Sequence, residues 1–182
     1  MALSLRSTRR QVHRKRPAFL TIEEIDRIIT AANSDPRHHI TSDVVQVLKE
    51  TGLRSVELSR LQVGDIDIAN SRLVISSEMM AGERSIPLSP RALNALKCLH
   101  SHFPDSTFVM GDKSASALHR VSANFRKIAA QLGIAACGLH SLRRSCAANL
   151  FGDGIDLVTV SQFMGFSYRH DTVRRDPRYG AW

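Results

Sequence analysis

The sequence contains few of the residues that build cysteine-based frameworks. Its 182 residues include three cysteines, Cys98, Cys137 and Cys146, and no two of them have the spacing of a CxxC motif. This pattern argues against a zinc site or a disulfide framework, so we predict no metal and a reducing compartment, the cytoplasm.

Long apolar segments are also missing. No stretch approaches the roughly 20 residues that a membrane-spanning helix needs, so we predict no membrane association. The N-terminus lacks the apolar core of a secretory signal, although its basic, acid-free composition leaves a transit peptide open as an alternative. Hydrophobic residues still make up 43% of the chain, which is enough for one domain with a full core.

Acidic residues are absent from the first 18 positions, and this absence determines the charge pattern. Residues 19–168 carry equal numbers of basic and acidic side chains, and residues 169–182 carry four basic against two acidic ones. We therefore predict a basic arm over 1–18, a folded domain over 19–168 and a basic tail over 169–182. Such an arm suits contact with a polyanion such as DNA, and a solubilising leader is the alternative. The predicted DNA-binding residues of the arm are Arg9, Arg10, Arg14, Lys15 and Arg16.

Local signals predict mostly helices. Thr21 and Glu24 form a capping box that starts one helix. A second helix is predicted to begin at Thr41 or Ser42 and to end at Gly52, a favourable helix terminator. The remaining helices are predicted from a Ser55 cap to Leu61, from Ser89 and Pro90 to Phe103 with the proline in the first turn, over 115–132, over 141–151 and from an Asp156 cap to Met164.

Two segments predict a β-hairpin. Arg72–Ser76 and Arg84–Leu88 are β-prone and flank a turn near Gly82. A short third strand is predicted at Phe108–Met110. The fold class is therefore mainly α with a small antiparallel β-sheet (α+β).

Three side chains suggest a phosphate site. His140 and Arg143 are three residues apart, so on a helix they share a face. Arg54 follows Gly52 at a predicted helix start, where backbone N–H groups favour anions. Two arginines and a histidine can neutralise the charge that develops on a phosphodiester in a five-coordinate transition state. By spacing alone, solvated arginines and a structural histidine remain the alternative.

The order of these segments resembles the tyrosine recombinases (phage integrases). The segment Thr51–Leu61 resembles the first signature box of that family, and Leu139–Ser145 resembles the second. The hairpin ending at Leu88 lies where the family has its own, and Phe19–Ile25 resembles the start of its catalytic domain. The resemblance covers about residues 17–175 and implies the tyrosine-recombinase catalytic-domain fold.

The resemblance also implies a chemistry. In this family a tyrosine attacks the scissile phosphate and forms a 3′-phosphotyrosine bond, without metal or high-energy cofactor. Two arginines clamp the phosphate, and a lysine of the hairpin protonates the leaving 5′-oxygen. Carried onto this chain, Arg54 and Arg143 are the clamp and His140 is the acid–base helper, while the neighbouring Arg144 is a further DNA-binding candidate.

Three positions depart from the family pattern. Met79 occupies the expected position of the hairpin lysine, Phe166 replaces a later histidine, and Arg175 occupies the position of the tyrosine. None of these side chains can supply a nucleophile or a general acid. The chain has two tyrosines, and Tyr179, four residues beyond Arg175, is the candidate substitute nucleophile, with Tyr168 as the alternative.

These departures leave three hypotheses about function. The chain is a recombinase domain for DNA recombination and integration with impaired cleavage, or a catalytically inactive DNA-binding or recombinase-interacting regulator, so whether it is an enzyme stays open. A helical protein without a nucleic-acid role is the third hypothesis. The expected partners are double-stranded DNA and either a second copy of the chain or another recombinase subunit, and no cofactor is expected.

Overall fold

The computed structural model describes residues 19–77, 82–134 and 137–165. These residues form mostly helices with a small sheet, which confirms the predicted fold class. The helices are α1 (Ile22–Asn33), α2 (His39–Thr51), α3 (Ser55–Arg60), α4 (Pro90–Ser101), α5 (Ser114–Gln131), α6 (Leu139–Gly152) and α7 (Leu157–Met164). The strands are β1 (Ile66–Asp67), β2 (Arg72–Ser77) and β3 (Gly82–Pro87).

Helix α1 begins as its capping box predicts. The Thr21 hydroxyl accepts a hydrogen bond from the Glu24 backbone N–H at 3.2 Å, and the Glu24 carboxylate accepts one from the Thr21 N–H at 2.9 Å. These two bonds satisfy donors that a helix start otherwise leaves unpaired. The helix then buries Ile25, Ile28 and Ala32 against the core.

Helix α2 begins at His39, earlier than the predicted Thr41 or Ser42. Asp35 caps a short 3₁₀ turn over Pro36–His38 that leads directly into α2, so both hydroxyl residues lie buried inside the helix. Its end at Gly52 is as predicted, because Gly52 adopts a left-handed conformation with φ 60°.

The sheet has the strand order β1–β2–β3 and is antiparallel throughout. The predicted hairpin is confirmed, with Leu73 opposite Ile86. The predicted third strand at Phe108–Met110 is wrong, because Phe108 makes an isolated bridge to Gln62 and the third strand is β1. Val109 and Met110 are buried, so this apolar run fills the core instead of extending the sheet.

Helices α6 and α7 complete the described chain. Helix α6 begins at Leu139, two residues before the predicted start, since the Ser141 N–H already bonds to the Gly138 carbonyl. The predicted Asp156 cap of α7 is confirmed, because its carboxylate accepts from the Val158 N–H at 2.9 Å.

Helix α2 lies at the centre of the core and packs against α1, α4, α5 and α6. A smaller apolar cluster of Cys146, Val160 and Met164 joins α6 to α7. Within the three described segments, no helix is long and apolar enough to cross a membrane. The same segments contain no group of His, Cys, Asp and Glu side chains arranged to hold a metal ion.

Candidate functional site

Arg54 lies where α3 begins, two residues after the turn at Gly52. Arg54, and not the predicted Ser55, is the N-cap, because the Glu57 carboxylate reaches back to the Arg54 N–H at 2.7 Å. Arg54 Nη1 donates to Glu57 Oε1 at 2.8 Å, and Nη2 donates to the Gly165 carbonyl at 2.9 Å. The guanidinium is thus held by its own helix and by the distant Gly165 at the end of α7, while the side chain stays 36% exposed.

Glu57 also binds Arg84 of strand β3. The Arg84 guanidinium donates to both carboxylate oxygens, at 2.9 and 2.8 Å, in a two-pronged ion pair. Both side chains are largely buried, with exposures of 11% and 13%. Burial by itself raises the pKa of Glu57, but the bonds from Arg84 and Arg54 outweigh it and the pKa is lowered. Glu57 is therefore a carboxylate at neutral pH.

Gly165 closes this cluster from the end of α7. It has φ 60°, and a Cβ at this position would lie 2.6 Å from Arg84 Nη1. A side chain there would collide with the guanidinium, so glycine permits the close approach of α7 to β3. The carbonyl of the same residue accepts the Arg54 bond.

Arg143 occupies a different position, inside the protein. It is 3% exposed and donates to the carbonyl oxygens of Gly52 and Met164, where α2 and α7 end. Helix C-termini carry partial negative charge, which stabilises a buried cation. Burial, and then the charge of Arg54, lower the pKa of Arg143 to about 10, so it stays protonated.

His140 and Arg143, whose spacing predicts a shared helix face, differ in exposure. His140 is exposed in the first turn of α6, whereas Arg143 points inward. Arg144, the other predicted DNA contact on α6, is exposed. Partial desolvation, and then the charges of Arg144, Arg143 and Arg54, lower the pKa of His140. His140 is therefore neutral at physiological pH and can exchange a proton.

Three arginines surround the Glu57 carboxylate. Arg143 interacts electrostatically with Arg54, Arg84 and Glu57, and Glu57 also bonds to the other two arginines. A group of guanidinium charges beside the exposed His140 favours an anionic ligand.

Several predicted positions lie outside the described residues. They include the substitute nucleophile and its alternative, the three departures from the family pattern and the basic arm. These positions are Tyr179, Tyr168, Met79, Phe166, Arg175, Arg9, Arg10, Arg14, Lys15 and Arg16. Their roles stay predictions.

Sequence reasoning assigned no role to Glu57 or Arg84. A signal for each was present. Glu57 is three residues after Arg54, the spacing of a capping box. Arg84 is two residues before the buried Ile86, so the alternation of a strand places its side chain on the core face. A charged residue on that face needs a buried partner.

The fold is shared with DNA integrases of known structure. The Tn1549 transposon integrase, solved in complex with circular intermediate DNA, superimposes with a TM-score of 0.71 at 18% identity. The match covers 86% of this chain and 59% of that integrase. At this level of identity the likeness concerns the architecture alone.

Sequence comparison supplies the family. The model of the phage integrase family matches residues 18–175, and this chain therefore belongs to that family, the tyrosine recombinases. Tyrosine recombinase XerD of Rhizobium meliloti is 30% identical over 83% of this chain and 54% of its own length. Type 1 fimbriae regulatory protein FimB of Escherichia coli K12 is 27% identical over 92% of this chain and 86% of its own length. The chain thus spans about half the length of the XerD relative.

Proposed function

We propose that this chain is a DNA-binding tyrosine recombinase domain that acts in site-specific recombination and integration, with impaired strand cleavage. The observation that carries the proposal is the cluster of three guanidinium groups around the carboxylate of Glu57. Guanidinium groups bind phosphate oxygens, so the cluster suits a phosphodiester, and family membership favours DNA as the source of that phosphate.

We assign the DNA contacts to three parts of the chain. The arginine cluster receives the scissile phosphate, and Arg144 on the exposed side of α6 contacts the backbone nearby. The arm over 1–18 adds sequence-independent affinity through its six basic residues. This assignment keeps the proposed division of the chain into the arm over 1–18, a folded domain over 19–168 and a basic tail over 169–182.

The proposed reaction is the phosphotyrosine exchange of the family. A tyrosine oxygen attacks phosphorus, the bond from phosphorus to the 5′-oxygen breaks, and a 3′-phosphotyrosine bond forms. The tyrosine loses a proton and the leaving 5′-oxygen gains one. Arg54 is proposed to contact the non-bridging oxygens and the buried Arg143 to add its positive charge from behind it, while the neutral His140 assists proton transfer. Tyr179 is the proposed nucleophile.

Cleavage is proposed to be slow because three positions differ from the family pattern. Met79 and Phe166 cannot transfer protons, and Arg175 cannot attack phosphorus. A general acid or base alone typically contributes about 10²–10⁴-fold to a rate. Loss of the hairpin lysine together with displacement of the nucleophile therefore predicts a large reduction.

A covalent-trapping experiment tests this proposal. The protein is incubated with a nicked suicide DNA substrate, in which the released fragment diffuses away, and products are separated on a denaturing gel. We expect a weak protein–DNA adduct that Tyr179→Phe abolishes and Tyr168→Phe leaves intact. An adduct of undiminished yield in Tyr179→Phe rejects Tyr179 as the nucleophile. Absence of DNA binding at low salt rejects the function as a whole.

A non-cleaving regulator is the second candidate. The replaced positions favour it, because none of them supplies a nucleophile or a general acid. Such a regulator would shift DNA on a native gel and give no adduct. Its partner would be a second copy of this chain or another recombinase subunit, which sedimentation with and without DNA distinguishes from a monomer.

A further inference from the structure

Arg84 lies at the point where the hairpin meets the arginine cluster. It is the third residue of β3, opposite Ile75 of β2 in the antiparallel register. Its side chain is on the core face of the strand and is 11% exposed. A residue so placed contacts DNA poorly but can transmit the position of the hairpin to the site.

Glu57 connects Arg84 to Arg54. Its Oε1 accepts from both arginines, from Arg54 Nη1 at 2.8 Å and from Arg84 Nη1 at 2.9 Å. Its Oε2 accepts from Arg84 Nη2 at 2.8 Å and from the Arg54 backbone N–H at 2.7 Å. The fork of Arg84 thus fixes the plane of the carboxylate, and that plane sets where Arg54 Nη1 lies.

The same contact divides the hydrogen bonds of Glu57. Its carboxylate bonds to Arg54 and also, in a largely buried, two-pronged geometry, to Arg84. Removal of Arg84 would release the carboxylate to turn toward Arg54 and compete with a phosphate for its N–H groups.

We infer that Arg84 is a positioning residue for phosphate recognition, acting on Arg54 through Glu57. This inference rests on the proposed DNA-binding function. It requires coupling: Arg84 must matter for DNA affinity when Arg54 is present and must cease to matter when Arg54 is absent. A residue that contacts DNA directly, or that only adds positive charge, lacks this dependence.

A double-mutant cycle measures the coupling. Arg84→Gln is made in the native chain and in the Arg54→Ala background, and binding of a short fluorescein-labelled duplex of mixed sequence is followed by anisotropy. Phosphate contacts do not depend on sequence, so such a duplex serves as the probe. We expect Arg84→Gln alone to weaken binding about tenfold, the effect of losing one charged hydrogen bond. In the Arg54→Ala background we expect a loss below about twofold.

Arg72→Gln is the matched control. Arg72 lies on the adjacent strand β2, pairs with Asp67 at 2.9 Å and has an exposed side chain. The Arg72→Gln substitution removes the same charge from the same sheet, so it reports the general effect of lost positive charge on DNA affinity. We expect its loss of affinity to be small and equal in both backgrounds.

Two results overturn the inference. One is an equal loss from Arg84→Gln in both backgrounds, and the other is an unchanged affinity in a folded Arg84→Gln protein. If circular dichroism shows that Arg84→Gln is unfolded, Arg84→Lys takes its place, because lysine keeps the charge but lacks the fork. Failure of the native chain to bind the duplex rejects the proposed function and the inference together. An additive cycle rejects the inference alone.

Discussion

Arg54 and Arg143 belong to one cluster but occupy opposite environments. Arg54 is at the start of α3 with its side chain 36% exposed, and it bonds to a carboxylate and a loop carbonyl. Arg143 is inside the protein at 3% exposure and bonds to carbonyls at the ends of α2 and α7. One is open to solvent, where the proposed phosphate would bind, and the other joins the helices that surround the site.

The difference separates the proposed role of Arg54, recognition of a ligand, from the structural role of Arg143, assembly of the site. Arg143 holds together three segments, because α6 carries it and it binds the ends of α2 and α7. Arg54 depends on that assembly, because it bonds to the carbonyl of Gly165. The preceding residue, Met164, provides a carbonyl to which Arg143 bonds. Substitutions at the two arginines should therefore affect different measurements.

Arg143→Ala should have the largest effect on stability. It removes two charged hydrogen bonds to buried carbonyls and leaves a cavity, so we expect the free energy of unfolding to fall by about 3 kcal/mol or more. Urea denaturation followed by circular dichroism measures this. Arg144→Ala, the exposed neighbour, should change stability by less than about 0.5 kcal/mol. Equal stability of the two variants would contradict the assembly role.

Gly52→Ala should also disturb the position of Arg143, because Arg143 donates a hydrogen bond to the Gly52 carbonyl. A Cβ at Gly52 would lie 2.8 Å from Met164 Sδ, and the left-handed backbone adds strain, so we expect a loss of about 1–2 kcal/mol. Gly133→Ala is the control, because Gly133 has φ 70° and open space around it. The excess loss in Gly52→Ala, measured by urea denaturation, is the packing contribution. No excess would show that α7 accommodates the methyl group.

Arg54→Ala should affect DNA binding more than stability. Its ion pair is partly exposed, so we expect the free energy of unfolding to fall by less than about 1 kcal/mol. Loss of a charged contact to phosphate should weaken DNA binding about tenfold, measured by anisotropy at constant salt. A larger effect on unfolding than on DNA affinity would reverse the comparison with Arg143.

His140 should give the smallest effect, visible as a pH dependence. Its pKa in the folded protein is below its ordinary value, so the unfolded chain binds more protons in the window below about pH 6.5. Stability should therefore decrease as the pH falls through that window. Urea denaturation of His140→Gln at pH 7 and pH 5 should show a weaker decrease than the native protein. Identical decreases would show that other groups produce the pH dependence.

Much of the fold follows from local sequence. The capping box of Thr21, the Asp156 cap and the terminator Gly52 mark helix ends, because each satisfies backbone groups within a few residues. The hairpin follows from alternating side chains around a turn. The errors have two causes, a distant contact in one case and an adjacent local turn in the other. Phe108–Met110 is β-prone but fills the core, and α2 starts early because a 3₁₀ turn precedes it.

The sequence by itself determined the family and the residue types of the candidate site, because the motifs around Arg54 and Arg143 are local and ordered along the chain. Tertiary structure alone decided which arginine faces outward. Arg143 is buried because its carbonyl partners are 91 and 21 residues away, and Arg84 joins the site across 27 residues through Glu57. Helical or strand periodicity gives a direction for each side chain. The packing of the elements decides which residue the side chain contacts in that direction.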